Sequence, residues 1–237
     1  MLRVCCAARL SGDRWSVMLA LSALRVMIGR SEVLRGVSLA VASGESAGLI
    51  GRNGAGKTTL MRAVMGLVAL QSGSVELDGL RLDHMPAHRR AALGIGYMPE
   101  DRRLVPQWTV NDNLLFPVWA SGKPRYAARL ERVYELLPEL RAWGLRKALS
   151  LSGGQQKIVA FGRALMCGTR LLLLDEPFEG VAPALAGRLR EVIDALKSED
   201  GLSVLLAASN YSQAAGLVGR CYAIERGAVV EVPSPAA

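Results

Sequence analysis

The densest chemistry lies in Gly51-Arg52-Asn53-Gly54-Ala55-Gly56-Lys57-Thr58, which follows the pattern G-x-x-x-x-G-K-[ST]. Its glycines let the backbone curl until consecutive N–H groups face a single anion. A helix beginning there adds the positive end of its dipole. Lys57 brings a mobile full charge for β- and γ-phosphates, the Thr58 hydroxyl is a ligand type for Mg²⁺, and Thr59 follows at the helix head. A chance glycine turn is the plain alternative. The apolar strand before it and the helix after it favour a nucleotide-phosphate site.

A second glycine motif, Leu151-Ser152-Gly153-Gly154-Gln155, precedes an apolar helix. A serine and two glycines at a helix start leave free N–H groups and a hydroxyl, again receptive to an anion. Alone, this would read as an ordinary capped helix. Further on, Leu-Leu-Leu-Leu-Asp175-Glu176-Pro sets two carboxylates at the end of a buried strand. Asp175 suits a hold on Mg²⁺ through its water shell, and Glu176 suits orienting and deprotonating an attacking water. The order of the three motifs makes a structural coincidence a poor explanation.

These residues need a sheet to carry them. The segment from Met18 to Val41 has the apolar character of paired strands. Ala47–Ile50 reads as a short buried strand, followed by a helix through Thr59, Leu60, Val64 and Met65. Ser74–Leu77 with Asp78-Gly79 reads as a hairpin, and Gly94–Met98 as a strand. From about Gln107 to Ala148 the pattern is helical, with Pro117, Pro124 and Pro138 as punctuation. A helix from about Gln155 to Met166, the strand Leu171–Leu174, a helix near Pro183–Lys197, the strand Ser203–Ala207 and two short strands about Arg226-Gly227 complete the reading. Alternating strands and helices predict an α/β fold with a largely parallel sheet covered on both faces. Residues 1–17 lack periodicity and read as an upstream extension before a start at Met18, or as a disordered arm.

Composition narrows the class. Of 237 residues, 51% are hydrophobic and only 5% aromatic, so the core must be aliphatic. The net charge of +8 is spread along the chain without a basic stripe or interleaved stacking aromatics, which disfavours a nucleic-acid groove. A solvated surface, partly facing a membrane or a membrane protein, fits better. Cys5, Cys6, Cys167 and Cys221 have neither disulfide-framework nor zinc-site spacing. No apolar run is long enough to span a bilayer, so a membrane role would come through a partner.

With the phosphate loop, LSGGQ and LLLLDEP in this order, the chain resembles the ABC ATPase family from Leu19 to Val232. The resemblance implies a P-loop NTPase sheet with an antiparallel β-subdomain and a helical subdomain inserted at about 101–152, within a domain running from 18 to 237. It implies ATP and Mg²⁺ as cofactors and a sandwich of two ATPase subunits. Residues 51–59 would hold this chain's own nucleotide, and Ser152, Gly153, Gly154 and Gln155 would complete the partner's.

The stretches GIGYMPEDRRLVPQWTVNDNL, LSGGQQKIVAFGRALM and LLLLDEPFEGVAP are similar to the second ATPase subunit of branched-chain amino acid importers. That implies a different ATPase as partner (a homodimer being the alternative), two permease subunits, an extracytoplasmic substrate-binding protein, and a peripheral place on the cytoplasmic face of the membrane. Related systems carry urea or amides. Trp108, Trp119 and Trp143 fall in or near the helical stretch, where either permease contact or core packing would use them.

Four positions depart from the commonest family pattern. Met27-Ile28 stands where an aromatic ring would stack on adenine, Glu100 where a glutamine would face Mg²⁺ or water, and Ala182 for an aspartate. Ser209 stands for the histidine that meets the γ-phosphate. Ser209 donates one hydrogen bond but carries no charge, so slow hydrolysis with Glu176 still as base is expected, and a catalytically weak structural subunit is the alternative. His84 and His88 are expected to be solvated. A soluble ABC ATPase of DNA repair or translation would bring coiled-coil, zinc or tandem-cassette features not seen here.

Overall fold

A computed structural model describes residues 16–121 and 126–234. The extension or arm read at residues 1–17 lies outside the described residues up to position 15, as do Cys5, Cys6 and Pro124. Val17 is described, and it already belongs to the first strand.

That strand, β1 (Val17–Ile28), pairs antiparallel with β2 (Ser31–Ala42). Next come β3 (Ser46–Ile50), α1 (Lys57–Val64), β4 (Ser72–Leu77), β5 (Leu80–Arg81), α2 (Ala87–Ala92) and β6 (Ile95–Met98). Three helices follow: α3 (Val110–Ser121), α4 (Ala127–Leu136) and α5 (Pro138–Ala142). The chain then runs through α6 (Gly153–Cys167), β7 (Leu171–Asp175), α7 (Pro183–Ser198), β8 (Ser203–Ala208), α8 (Tyr211–Ala214), β9 (Arg220–Glu225) and β10 (Ala228–Val232).

Two sheets result. The four-stranded one, in order β2-β1-β4-β5, is antiparallel. The six-stranded one, in order β10-β9-β3-β8-β7-β6, is parallel except for β10. Strand alternation sends successive side chains to opposite faces, which explains the run of four leucines in β7. Leu172 and Leu174 enter one core with Phe161, Val110, Leu140 and Leu189 of the helices. Leu171 and Leu173 enter the other, with Leu60 and Met61 of α1 and Leu19, Leu34 and Val75 of the antiparallel sheet.

Pro117 corrects the expectation that it breaks the helical stretch. It lies inside α3, with no punctuation there. The missing N–H forfeits one bond to the carbonyl four residues back, and burial of Val110, Leu114 and Val118 on one side of the helix carries it through. Pro138, by contrast, opens α5 at a position where its lost N–H costs nothing.

Parallel strands present their C-terminal ends together. Ile50 pairs with Ala208, Asp175 with Ala207, and Met98 with Leu174. The loops leaving β3, β7, β8 and β6 therefore converge on one edge, where open α/β sheets bind ligands.

Candidate functional site

The turn leaving β3 has the conformation its glycines permit. Gly56, immediately before α1, has φ +116°, which an L side chain rarely adopts. At Gly51 a Cβ would lie 2.4 Å from the Ile224 carbonyl oxygen, so only glycine fits against β9. Lys57 is 5% exposed, and its ammonium donates to the carbonyls of Gly51 (2.5 Å) and Arg52 (3.2 Å). Arg52, Asn53 and Gly54 are exposed, while Ala55, Thr58 and Thr59 are half-buried. The cleft beside them is bordered by Val33, Asn53, Gly56, Lys57, Glu100 and Glu176.

Asp175 and Glu176 sit at the end of β7, 0% and 1% exposed. Burial pushes the Asp175 carboxyl up to about 6, helped by the nearby charges of Glu100 and Glu176, while the neighbouring Thr58 and Tyr97 hydroxyls oppose the rise. The Tyr97 hydroxyl donates to Asp175 Oδ2 at 3.4 Å, and burial raises that phenol's pKa well above its usual range. Asp175 Oδ1 is buried without a hydrogen-bond partner. An orphaned carboxylate oxygen beside a threonine hydroxyl fits a hard cation. Among the described residues no group of three His, Cys, Asp or Glu side chains could hold a metal alone.

Glu176 has a left-handed backbone, φ +50°, at a cost of roughly 1–2 kcal/mol for a residue with a side chain. Oε1 lies 3.0 Å from Lys57 Nζ as an ion pair, without the alignment of a hydrogen bond. Oε2 accepts from the Ser209 N–H at 3.1 Å and from its hydroxyl at 3.3 Å. The structure thus brings Ser209 to the carboxylate of Glu176. Glu100 is exposed at the rim of the cleft, within reach of the same charges.

Ser152 caps α6 in a reciprocal box. Its hydroxyl oxygen accepts from the Gln155 N–H (3.3 Å) and Gln155 Oε1 accepts from the Ser152 N–H (3.0 Å). Gly153 and Gly154 form the first turn of the helix, with Ser152 and Gly153 exposed and Gly154 half-buried.

Of the departing positions, Met27 and Ile28 are exposed at the end of β1, and Ala182 starts α7 with no side-chain cap. His84 and His88 are exposed. Trp143 is packed against the core, whereas Trp108 and Trp119 are exposed, and Trp108 meets both Phe116 (5.5 Å) and Trp119 (6.2 Å) edge to face. Sequence reasoning missed Tyr97, Val33 and Lys157, because nothing in their type or spacing announces which side chains the sheet edge will gather.

Comparison with known proteins bears on this arrangement. The sequence model of the ABC transporter family matches residues 34–179. The chain is 37% identical, over 90% of its length and 91% of the relative's, to the high-affinity branched-chain amino acid transport ATP-binding protein BraG of Pseudomonas aeruginosa. It is 35% identical, over 86% and 85% respectively, to the lipopolysaccharide export system ATP-binding protein LptB of Escherichia coli K12. Among solved structures it resembles the ADP conformation of an ATP-binding cassette of an ABC transporter, with TM-score 0.76 and 26% identity over 90% of this chain and 89% of that one. A dimeric bacterial ABC transporter cassette shares the fold at TM-score 0.82 and 21% identity, covering 93% and 100%.

Proposed function

This chain belongs to the ABC transporter family, and we propose that within it the chain powers an importer of branched-chain or other hydrophobic amino acids. It is an ATP-binding, ATP-hydrolysing subunit. The observation that carries the catalytic reading is the meeting of Lys57, Glu176 and Ser209 at one carboxylate. The likeness to BraG across nearly the whole of both chains supports the substrate class.

In this reading Lys57 leaves Glu176 for the β- and γ-phosphates, because a triphosphate offers it far more negative charge than one carboxylate does. Glu176 Oε1, released, takes a proton from the water that attacks the γ-phosphorus, and ADP departs. Ser209 keeps Oε2 in place, so the base stays aimed while its other oxygen works. Thr58, Asp175 and Glu100 would hold Mg²⁺, which supplies neutralisation of the phosphate charge. Ser152, Gly153, Gly154 and Gln155 would complete the nucleotide site of a second ATPase, and the cluster of Trp108, Phe116 and Trp119 offers a permease an aromatic anchor. No described helix is long and apolar enough to cross a membrane, and the chain is placed in this reading at the cytoplasmic face through permease subunits, with a substrate-binding protein on the far side.

Lipopolysaccharide export is the second reading, favoured by the likeness to LptB. Uptake of radiolabelled leucine, in cells lacking this chain and complemented with wild type or Glu176→Gln, separates the two. Import predicts uptake restored by wild type alone. Equal uptake in all three strains, with lipopolysaccharide accumulating inside, would overturn it.

A further inference from the structure

Lys157 lies one turn into α6, only 6% exposed, although lysine is rarely buried without a charged partner. Its ammonium donates to the Glu176 carbonyl at 2.8 Å and to the Glu179 carbonyl. Both acceptors belong to the segment that leaves β7, so a side chain from the helical layer grips the backbone just where Glu176 adopts its left-handed conformation. The next residue is Pro177, which has no N–H. The carbonyl is therefore the only polar handle on the 176–177 peptide. It also accepts from the Glu179 N–H at 3.3 Å, a weaker bond within the same turn.

We propose that Lys157 is a positioning residue for Glu176, fixing the left-handed backbone through that carbonyl and so aiming the carboxylate at the cleft. The proposal rests on the reading of Glu176 as general base. A positive φ relaxes unless its surroundings hold it, and the other restraints on Glu176 are not constant. Its pairing with Lys57 ends when Lys57 turns to phosphate. What remains is the N–H bond to Ala207, at 3.1 Å, the weaker Glu179 N–H bond to its carbonyl, the Ser209 contacts and Lys157. Of these, Lys157 alone comes from the helical layer, on the helix that begins with Ser152 and Gly153. The cleft around it holds Glu100, Arg102, Gly153, Glu179 and Gly180. Burial lowers the lysine's pKa, the Arg102 charge adds to that, and the carboxylates of Glu179, Glu176 and Glu100 oppose it.

The test uses the full chain with Mg-ATP and the variants Lys157→Met, Lys157→Arg and Glu176→Gln. Single-turnover hydrolysis, affinity for a fluorescent ATP analogue, Tm and hydrogen exchange of the peptide spanning 176–182 are read on each. Lys157→Met should lower the hydrolysis rate by about tenfold or more, a barrier change of about 1.4 kcal/mol. Its nucleotide affinity should stay within about twofold, its 176–182 exchange should quicken, and Lys157→Arg should recover most of the rate because it keeps the donors. If Lys157→Met does not fold, Lys157→Ala, which likewise lacks a donor, is read in the same way. A rate and exchange like wild type would overturn the proposal. So would losses of rate, affinity and Tm together that arginine does not recover, since those mark a purely structural lysine. Wild-type hydrolysis by Glu176→Gln would instead overturn the reading of the base itself. A dead Glu176→Gln beside an unaffected Lys157→Met would overturn only the role of Lys157.

Discussion

Lys57 Nζ lies 3.0 Å from Glu176 Oε1, with both side chains almost wholly buried. The residue that would bind phosphate and the residue that would activate water neutralise each other across the cleft. A buried ion pair is strongly destabilised when one partner is removed, by about 3–5 kcal/mol. Phosphate would therefore separate the pair only by giving Lys57 a better partner, and in the proposed mechanism this would link nucleotide arrival to release of the base.

Ser209 holds the other oxygen through its N–H as well as its hydroxyl. Ser209→Ala removes only the hydroxyl bond, which at 3.3 Å is long for its type and falls at the low end for a charged acceptor, about 1.5 kcal/mol, so hydrolysis should fall by about tenfold. Ser209→His adds a longer donor able to reach the γ-phosphate, and should raise single-turnover hydrolysis by about tenfold or more, since one such donor is typically worth about 10²–10³. An unchanged rate for the histidine variant would show that this site does not lack a γ-phosphate donor.

Asp175 carries a charge that its surroundings resist. Its folded pKa, about 6, exceeds the unfolded 3.8, so the folded state binds the proton more tightly. The ionised carboxylate destabilises the nucleotide-free fold above pH 6, and the penalty fades as the pH falls below that value. Asp175→Asn should raise Tm at pH 7.5 by roughly 4–12 °C, from about 2–3 kcal/mol of relieved burial. The gain should shrink toward pH 5, while Mg²⁺-dependent hydrolysis is lost throughout. Thermal scans at the two pH values check both signs, and a lower Tm for the variant at pH 7.5 would contradict the account.

Arg90 is 2% exposed and donates to the carbonyls of Ala63 (3.1 Å) and Val64 (2.8 Å) at the end of α1, and to Met85 (2.8 Å) and Leu82 (2.6 Å). It satisfies the orphan carbonyls of the helix that carries Lys57 and Thr58. Arg90→Met takes the donor from the Val64 and Met85 carbonyls, while those of Ala63 and Leu82 keep the N–H groups of Gly66 and Met85, and it should cost about 2 kcal/mol or more, lowering Tm by roughly 4–8 °C. A denaturation curve within error of wild type would remove Arg90 from the framework of the site.

The parts of the fold set by local pattern were legible in the chain. The turn from Gly51 to Thr58, the hairpin at Asp78-Gly79 and the leucines of β7 appear as their residue types dictate, since conformational freedom and alternation act over a few residues. Pro117 was misread because a helix buried on one side absorbs a proline that would end an exposed one. The aromatic cluster divided in a way no spacing reveals: Trp143 turned inward while Trp108 and Trp119 stayed out. Ser209 was recognisable as a departure, yet its grip on Glu176 depends on β7 and β8 lying side by side. Lys157 gave no sign at all, because its meaning arises only when α6 is packed over the end of β7.

The most direct measurement is single-turnover hydrolysis of Mg-ATP by the full chain, with nucleotide binding followed in parallel, for wild type and Glu176→Gln. Loss of a general base typically costs about 10²–10⁴ in rate, and binding should persist or tighten because Lys57 loses the carboxylate that competes with phosphate. A slow wild-type rate that falls by at least about 10² in Glu176→Gln, with ATP still bound, is the predicted result. Equal rates for the two proteins would contradict the account, because the carboxylate held between Lys57 and Ser209 would then not be the group that activates water.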